Sequence, residues 1–311
     1  MNFTENKCDW CGSTRCSVVF QGEDQLMGKP GTFQFVKCDQ CGLLRQNPRL
    51  NWDELSVYYE DGYSPHVHQA TKSKNSKREK FIDRYGLWKR VNFVSNNKSS
   101  GRWLDVGCGN GRILQEASRW DKWDLYGLEP IAEVARQTQE KLNIPIYPHT
   151  FEQLEVSKDT KFDIITMWDV LEHLPSPTQS IERVSNLLND NGVFILSIPN
   201  YQSIDRKIFG KYWIGYDLPR HLYVYPHDIL RQMFEKVGMR LVKSKCIAGT
   251  HAAFFLSLKF YNQAAQSRIL KKVLEKGDRY IPWKILTLLP FWLVDKFKLS
   301  TNITFVAKKI S

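Results

Sequence analysis

The clearest pattern along the chain is an apolar run, Trp103-Leu104-Asp105-Val106, that passes straight into Gly107-Cys108-Gly109-Asn110-Gly111. Ile113, Leu114 and Ala117 then recur at helical spacing, so the stretch reads as strand, glycine turn and helix. A polar turn, NNKSSG, precedes it, and before that turn Phe81, Tyr85, Trp88 and Phe93 mark one face of an amphipathic helix. A second apolar strand, Trp123–Leu128, ends on Glu129 about 18 residues after the loop.

This arrangement is a nucleotide-cofactor site in an α/β sheet. The dinucleotide fingerprint would need a third glycine where Arg112 stands. Asp105, at the strand end, would repel a pyrophosphate and suits instead a cofactor with ammonium and sulfonium charges, such as S-adenosylmethionine. Glu129 can accept both hydroxyls of a ribose.

The amino-terminal segment carries a different chemistry. Of seven cysteines, four form the knuckles Cys8-Asp9-Trp10-Cys11-Gly12 and Cys38-Asp39-Gln40-Cys41-Gly42 around a β-like stretch. Two tight turns offering four thiolates give the closed tetrahedral site zinc prefers, and the glycine after each pair lets backbone N–H groups point at sulfur. A metal with four sulfur ligands has no open position, so Cys8, Cys11, Cys38 and Cys41 are expected to hold a structural zinc in a ribbon. Cys16 fits neither knuckle and is read as a free buried thiol.

Composition excludes disordered and fibrous classes: 311 residues, 42% hydrophobic and 25% charged. The longest nearly apolar stretch, residues 285–294, is interrupted by Pro290 and is shorter than a membrane span of roughly 20 residues. The first residues show no basic start followed by an apolar segment, so a cytoplasmic location is the expectation. A net charge of +11 invites nucleic acid or an anionic membrane as partner, yet the charge gathers in residues 72–90 and 259–298, where solvated helix faces would also put it.

From Asp105 through the loop to Glu129 the chain resembles the class I S-adenosylmethionine-dependent methyltransferases, and the likeness continues. Residues 147–154 (YPHTFEQL) are similar to the segment after that family's third strand, residues 162–174 (FDIITMWDVLEHL) to its fourth strand and Leu-Glu-His turn, and residues 192–200 (GVFILSIPN) to its fifth strand. With CGLLRQNPR, Tyr58-Tyr59 and DLPRHLYVYP, the resemblance narrows to a zinc-ribbon-bearing subgroup similar to ubiquinone-type methyltransferases. It implies a Rossmann-like, seven-stranded α/β sheet with helices on both faces. The expected organisation is a zinc-ribbon module over residues 1–50, a linker with helices over 51–100, and a methyltransferase domain over 101–311. Strands six and seven fall at residues 240–248 and 302–308, and a helical insert at about 252–299 separates them.

The residues and the resemblance agree on the cofactor. Gly107, Cys108, Gly109 and Gly111 form the loop that the methionine end approaches. Asp105 favours positive charge, Glu129 holds the ribose, and Thr150 and Phe151 face the adenine. Met167 and Trp168 end the fourth strand near the sulfonium, unless they serve core packing. For a hydroxyl or enol acceptor a histidine base is the natural choice, with His173 and His221 as candidates. Each has a plainer reading, a turn cap for His173 and a backbone-bonded orienting role for His221. Tyr212, Trp213, Tyr216, Tyr223 and Tyr225 could stack on a ring or fill the core.

Three functions stay open on sequence alone. The first is methylation of a small molecule or of a glycan or lipid-linked intermediate. The second is RNA methylation, against which the ribbon is not strongly basic and no RNA-binding motif stands elsewhere in the chain. The third is a noncatalytic scaffold or membrane adaptor. The insert at 252–299 is read as a cap, a homodimer interface or a peripheral membrane contact.

Overall fold

The computed structural model describes residues 3–59, 77–157, 159–247, 250–277 and 290–310. Five strands come first: β1 (Phe3–Thr4), β2 (Cys16–Gly22), β3 (Phe33–Cys38), β4 (Leu44–Gln46) and β5 (Arg49–Leu50). Helices α1 (Trp52–Ser56) and α2 (Lys77–Ser95) lead into β6 (Gly101–Val106), α3 (Arg112–Ser118), β7 (Trp123–Leu128), α4 (Ala132–Leu142) and β8 (Ile146–Tyr147). Then follow β9 (Phe162–Trp168), α5 (Pro177–Leu187), β10 (Leu188–Pro199), α6 (Ile204–Phe209), β11 (Tyr223–Val224), α7 (His227–Lys236) and β12 (Met239–Lys245). The chain closes with α8 (Thr250–Ala265), α9 (Arg268–Gly277) and β13 (Asn302–Lys309).

These elements fall into two units. One gathers Met1–Glu60, Ile198–Leu230 and Ser244–Ile303; the other gathers Asp61–Ser197, Arg231–Lys243 and Thr304–Ser311.

The second unit carries a seven-stranded sheet in the order β12-β13-β10-β9-β6-β7-β8. Neighbours from β10 to β8 run parallel. Parallel strands connected through helices are covered on both faces, which is why β6, β9 and β10 read as nearly continuous apolar runs and are buried along most of their length. The register sets Asp105 beside Thr166 on one side and Gly127 on the other. Helix α3 buries Ile113, Leu114 and Ala117, the spacing seen in the sequence. Helix α2 departs from its expected face. Val91, Phe93 and Val94 are buried, whereas Tyr85 and Trp88 are exposed and stack on each other at 5.8 Å. A long aromatic side chain can cover another at helical spacing without entering the core. The side chain of Phe81 lies outside the described residues.

The first unit holds a four-stranded sheet, β11-β4-β3-β2, whose outer strand β11 comes from late in the chain. β11 pairs antiparallel with β4, Tyr223 opposite Arg45 and Val224 opposite Leu44. Phe20, Phe35 and Trp213 surround Tyr216 at ring distances of 4.6, 5.0 and 5.1 Å. Trp213, Tyr216, Tyr223 and Tyr225 are buried, so four of the five aromatics weighed for stacking belong to the core. The insert is helical in α8, α9 and residues 290–296, with Phe254 packed edge-on against Phe209 and Phe291. Trp292 and Phe297 are exposed. Half of the apolar stretch, residues 285–289, lies outside the described residues, among which no helix is long and apolar enough to cross a membrane.

Candidate active site

In the second unit the glycine loop follows β6 at the carboxyl end of the parallel strands. Gly107, Gly109 and Gly111 take φ of +69°, +53° and +71°, a region that side chains disfavour. At Gly107 a Cβ would also sit 2.7 Å from Val170. The Glu129 carboxylate accepts the Gly109 N–H on Oε2 and the Ile131 N–H on Oε1, both at 3.0 Å. Each oxygen keeps a further lone pair for a hydroxyl.

Asp105 is 2% exposed beneath the loop and accepts a 2.5 Å hydrogen bond from Thr166, whose hydroxyl in turn accepts from the Trp103 indole N–H. Burial pushes its carboxyl up to about 7, against the bond from Thr166 and the nearby charge of Arg90. Burial likewise raises Glu129. The Cys108 thiol is raised first by burial and then by Asp105 and Glu129, so both carboxylates, when ionised, set negative charge beside the loop. That charge fits a cationic cofactor and opposes a pyrophosphate.

The remaining expected residues are spread along the same strand ends. Thr150 is half-buried and bonds Gln153, whereas Phe151 is buried with the Arg183 guanidinium 5.7 Å over its ring. Met167 is fully buried in β9 between Val106 and Leu196, which places it in the sheet core. Trp168 is half-buried with Arg90 5.5 Å over its ring. His173 ends the short 3-10 turn Leu171–His173, its N–H bonded to Val170 O.

In the first unit, His221 donates from Nδ1 to Gly215 O at 2.9 Å, because a carbonyl can only accept. Nε2 therefore bears the lone pair in the neutral ring, 4.0 Å from Asp217 Oδ2. Next to it Arg220 is fully buried and holds both Asp24 and Asp217 through paired hydrogen bonds. Removing one partner of such a buried cluster costs on the order of 3–5 kcal/mol.

The same unit brings the four knuckle cysteines together. Cys8 Sγ lies 3.5 Å from Cys41 Sγ and Cys11 Sγ 3.5 Å from Cys38 Sγ, with all four within 4.8 Å of one another. Gly12 and Gly42 take φ of +73° and +82° and donate their N–H groups back to the carbonyls of Cys8 and Cys38. Four convergent thiols at this spacing fit zinc. Cys16 stays apart from them, half-buried rather than buried, opposite Cys38 in the β2–β3 ladder.

A family model described as a methyltransferase domain matches residues 76–244, more than half of the chain. The chain belongs to the class I S-adenosylmethionine-dependent methyltransferases. A ubiquinone biosynthesis O-methyltransferase of Glaesserella parasuis is 37% identical to this methyltransferase over 119 residues, covering 35% of this chain and 50% of its own. One of the same description from Coxiella burnetii is 32% identical over 160 residues, covering 48% of this chain and 66% of its own. The chain thus spans between half and just under two-thirds of these relatives. Among solved structures, "StiE O-MT residues 961-1257" aligns at 14% identity over 81% of this chain and 82% of its own, with a TM-score of 0.51, a likeness of fold.

Several residues near the methyltransferase loop escaped the sequence reading. Thr166 and Arg90 act on Asp105 from a neighbouring strand and from α2. Asp169, directly after β9, holds φ +58° while its N–H bonds Ser197 O and its carboxylate accepts from the Ser197 hydroxyl. A non-glycine residue in that region costs of order 1–3 kcal/mol, which the two bonds to Ser197 help to hold in place. Its position at a strand's carboxyl end was the available signal.

Proposed function

We propose that this methyltransferase transfers a methyl group from S-adenosylmethionine to the oxygen of a small-molecule acceptor. The observation that carries the reading is the pair of buried carboxylates, Asp105 and Glu129, flanking a glycine loop open to close backbone approach. When bound, S-adenosylmethionine supplies an already activated methyl carbon on a sulfonium sulfur. Glu129 is assigned to the ribose hydroxyls and the loop amides to the methionine end. Asp105, once ionised, favours the cofactor's positive charge. Thr150 and Phe151 are assigned to the adenine side and Trp168 to the sulfonium side.

Because the methyl carbon needs little activation, the protein's work is positioning the acceptor and excluding water. A hydroxyl acceptor must also lose its proton, and His221 Nε2 is the assigned recipient, its tautomer set by Gly215 O. His173 is the second candidate. The likeness to two O-methyltransferases of ubiquinone biosynthesis supports a small-molecule acceptor methylated on oxygen. A glycan or lipid-linked intermediate belongs to the same proposal, with the lysine-bordered Trp292 and Phe297 of the insert on a membrane surface. The four cysteines are assigned a structural zinc.

Incubation with methyl-labelled S-adenosylmethionine and cell extract fractionated into soluble, lipid-linked and nucleic-acid material tests the proposal. Label in soluble small molecules or lipid-linked material is expected, the second also locating the insert at membranes. Label confined to nuclease-sensitive material would convert the reading to an RNA enzyme. Absence of micromolar cofactor binding would leave a noncatalytic scaffold.

A further inference from the structure

We infer that Gln46 and Arg220 are positioning residues for His221, through which the cysteine-bearing sheet controls the assigned base. This rests on the reading of His221 as proton acceptor. Gln46 is the last residue of β4, which starts three residues after Cys41. Its side-chain amide donates both hydrogens, to Pro219 O at 2.8 Å and to His221 O at 2.7 Å, and its backbone N–H donates to Leu222 O at 2.9 Å. The orientation of that amide is forced, since turning it over would set its oxygen against two carbonyl oxygens. The carbonyls on either side of Arg220 are therefore pinned by one buried group.

Arg220 fixes the other side of the turn. Nε and Nη2 donate to Asp217 at 3.0 and 2.6 Å, and Nη1 and Nη2 donate to Asp24 at 3.1 and 2.6 Å. Nη1 also donates to Tyr58 O at 3.3 Å. Asp24 is itself set in the β2–β3 loop by the N–H of Met27. The backbone oxygen of Asp217 accepts the His221 N–H at 3.0 Å, and its side chain sets a carboxylate oxygen 4.0 Å from Nε2. An apolar triad of equal volume would stabilise a core at least as well as this charged one. What the planar guanidinium adds is a single allowed orientation for Asp217, hence for the Gly215–His221 turn that decides the tautomer.

The test combines ring-nitrogen NMR of histidine-labelled protein with kinetics on the full chain. Wild type should show His221 as the Nδ1–H tautomer. Gln46→Met removes both donors at nearly constant volume, and Arg220→Lys keeps the charge but cannot span two carboxylates. In both, the two ring-nitrogen shifts should converge toward a tautomer mixture. Turnover should fall about 10- to 100-fold, with the Kd for S-adenosylmethionine within about twofold of wild type. A folded Gln46→Met protein that keeps the wild-type tautomer and turnover would overturn the inference, even if its melting temperature drops. If Arg220→Lys does not fold, Gln46→Met decides alone. Full turnover in His221→Ala would instead remove the base assignment, a failure the tautomer readout distinguishes from failure of the positioning.

Discussion

Asp105 concentrates the chemistry of the cofactor loop in one carboxyl group. Its folded value of about 7 exceeds its unfolded value of about 4, so between those pH values the native state binds the extra proton. Stability of the cofactor-free protein is therefore expected to fall as pH rises from 4 to 7, by up to about 4 kcal/mol from this group. Asp105→Asn removes the ionisation, so thermal melts at pH 8 should show the variant more stable than wild type, with the difference shrinking at pH 5. The same ionisation serves the cation, so wild-type affinity for S-adenosylmethionine should rise through pH 7 while that of Asp105→Asn stays flat in titration calorimetry. Glu129→Gln should weaken cofactor binding by at least about 1–2 kcal/mol and also lower the melting temperature, because the amide nitrogen cannot accept and so leaves either the Gly109 or the Ile131 N–H without its partner. Both carboxylates were legible in the sequence because each ends an apolar strand at a fixed distance from the glycines. The burial of Asp105 against Thr166 was not, since it depends on which strand lies alongside.

At the scale of elements, the strand-to-helix turn was legible because glycine spacing and periodicity change together at one place. Gly107→Ala tests how tightly it is drawn. The alanine would have to hold φ +69° with its methyl 2.7 Å from Val170, so a loss of about 1–3 kcal/mol is expected. Cofactor affinity should fall with stability, read by melting with and without S-adenosylmethionine. If melting temperature and affinity both stay at wild-type values, the close approach at the loop is not functional. β11 was harder to see. Two residues, Tyr223 and Val224, form no periodic signal, and their partners on β4 are remote in sequence. Likewise the aromatic spacing of α2 gave no sign that Tyr85 and Trp88 would cover each other instead of the core. Local pattern reports which residues want burial, and a pair of aromatics can satisfy that demand on the surface.

For the whole molecule, the division into units changes what metal removal should do. The knuckle cysteines lie in a unit that includes Ile198–Leu230, and β4, which follows the second knuckle, pairs with β11 of that later segment. A small sheet with few apolar layers depends on its staple, and structural zinc supplies on the order of 10 kcal/mol to such a fold. Purified protein should contain one zinc per chain by elemental analysis, and chelation should lower its melting temperature. Hydrogen exchange should then show protection lost together in residues 3–59 and 198–230, while β6, β7 and β9 keep theirs, because those strands are closed by their own parallel ladder and buried on both faces. Exchange confined to residues 3–50 would mean that the ribbon melts as a separate module. Loss of protection in the ligand-free β6–β9 ladder as well would make the zinc a staple for the entire chain.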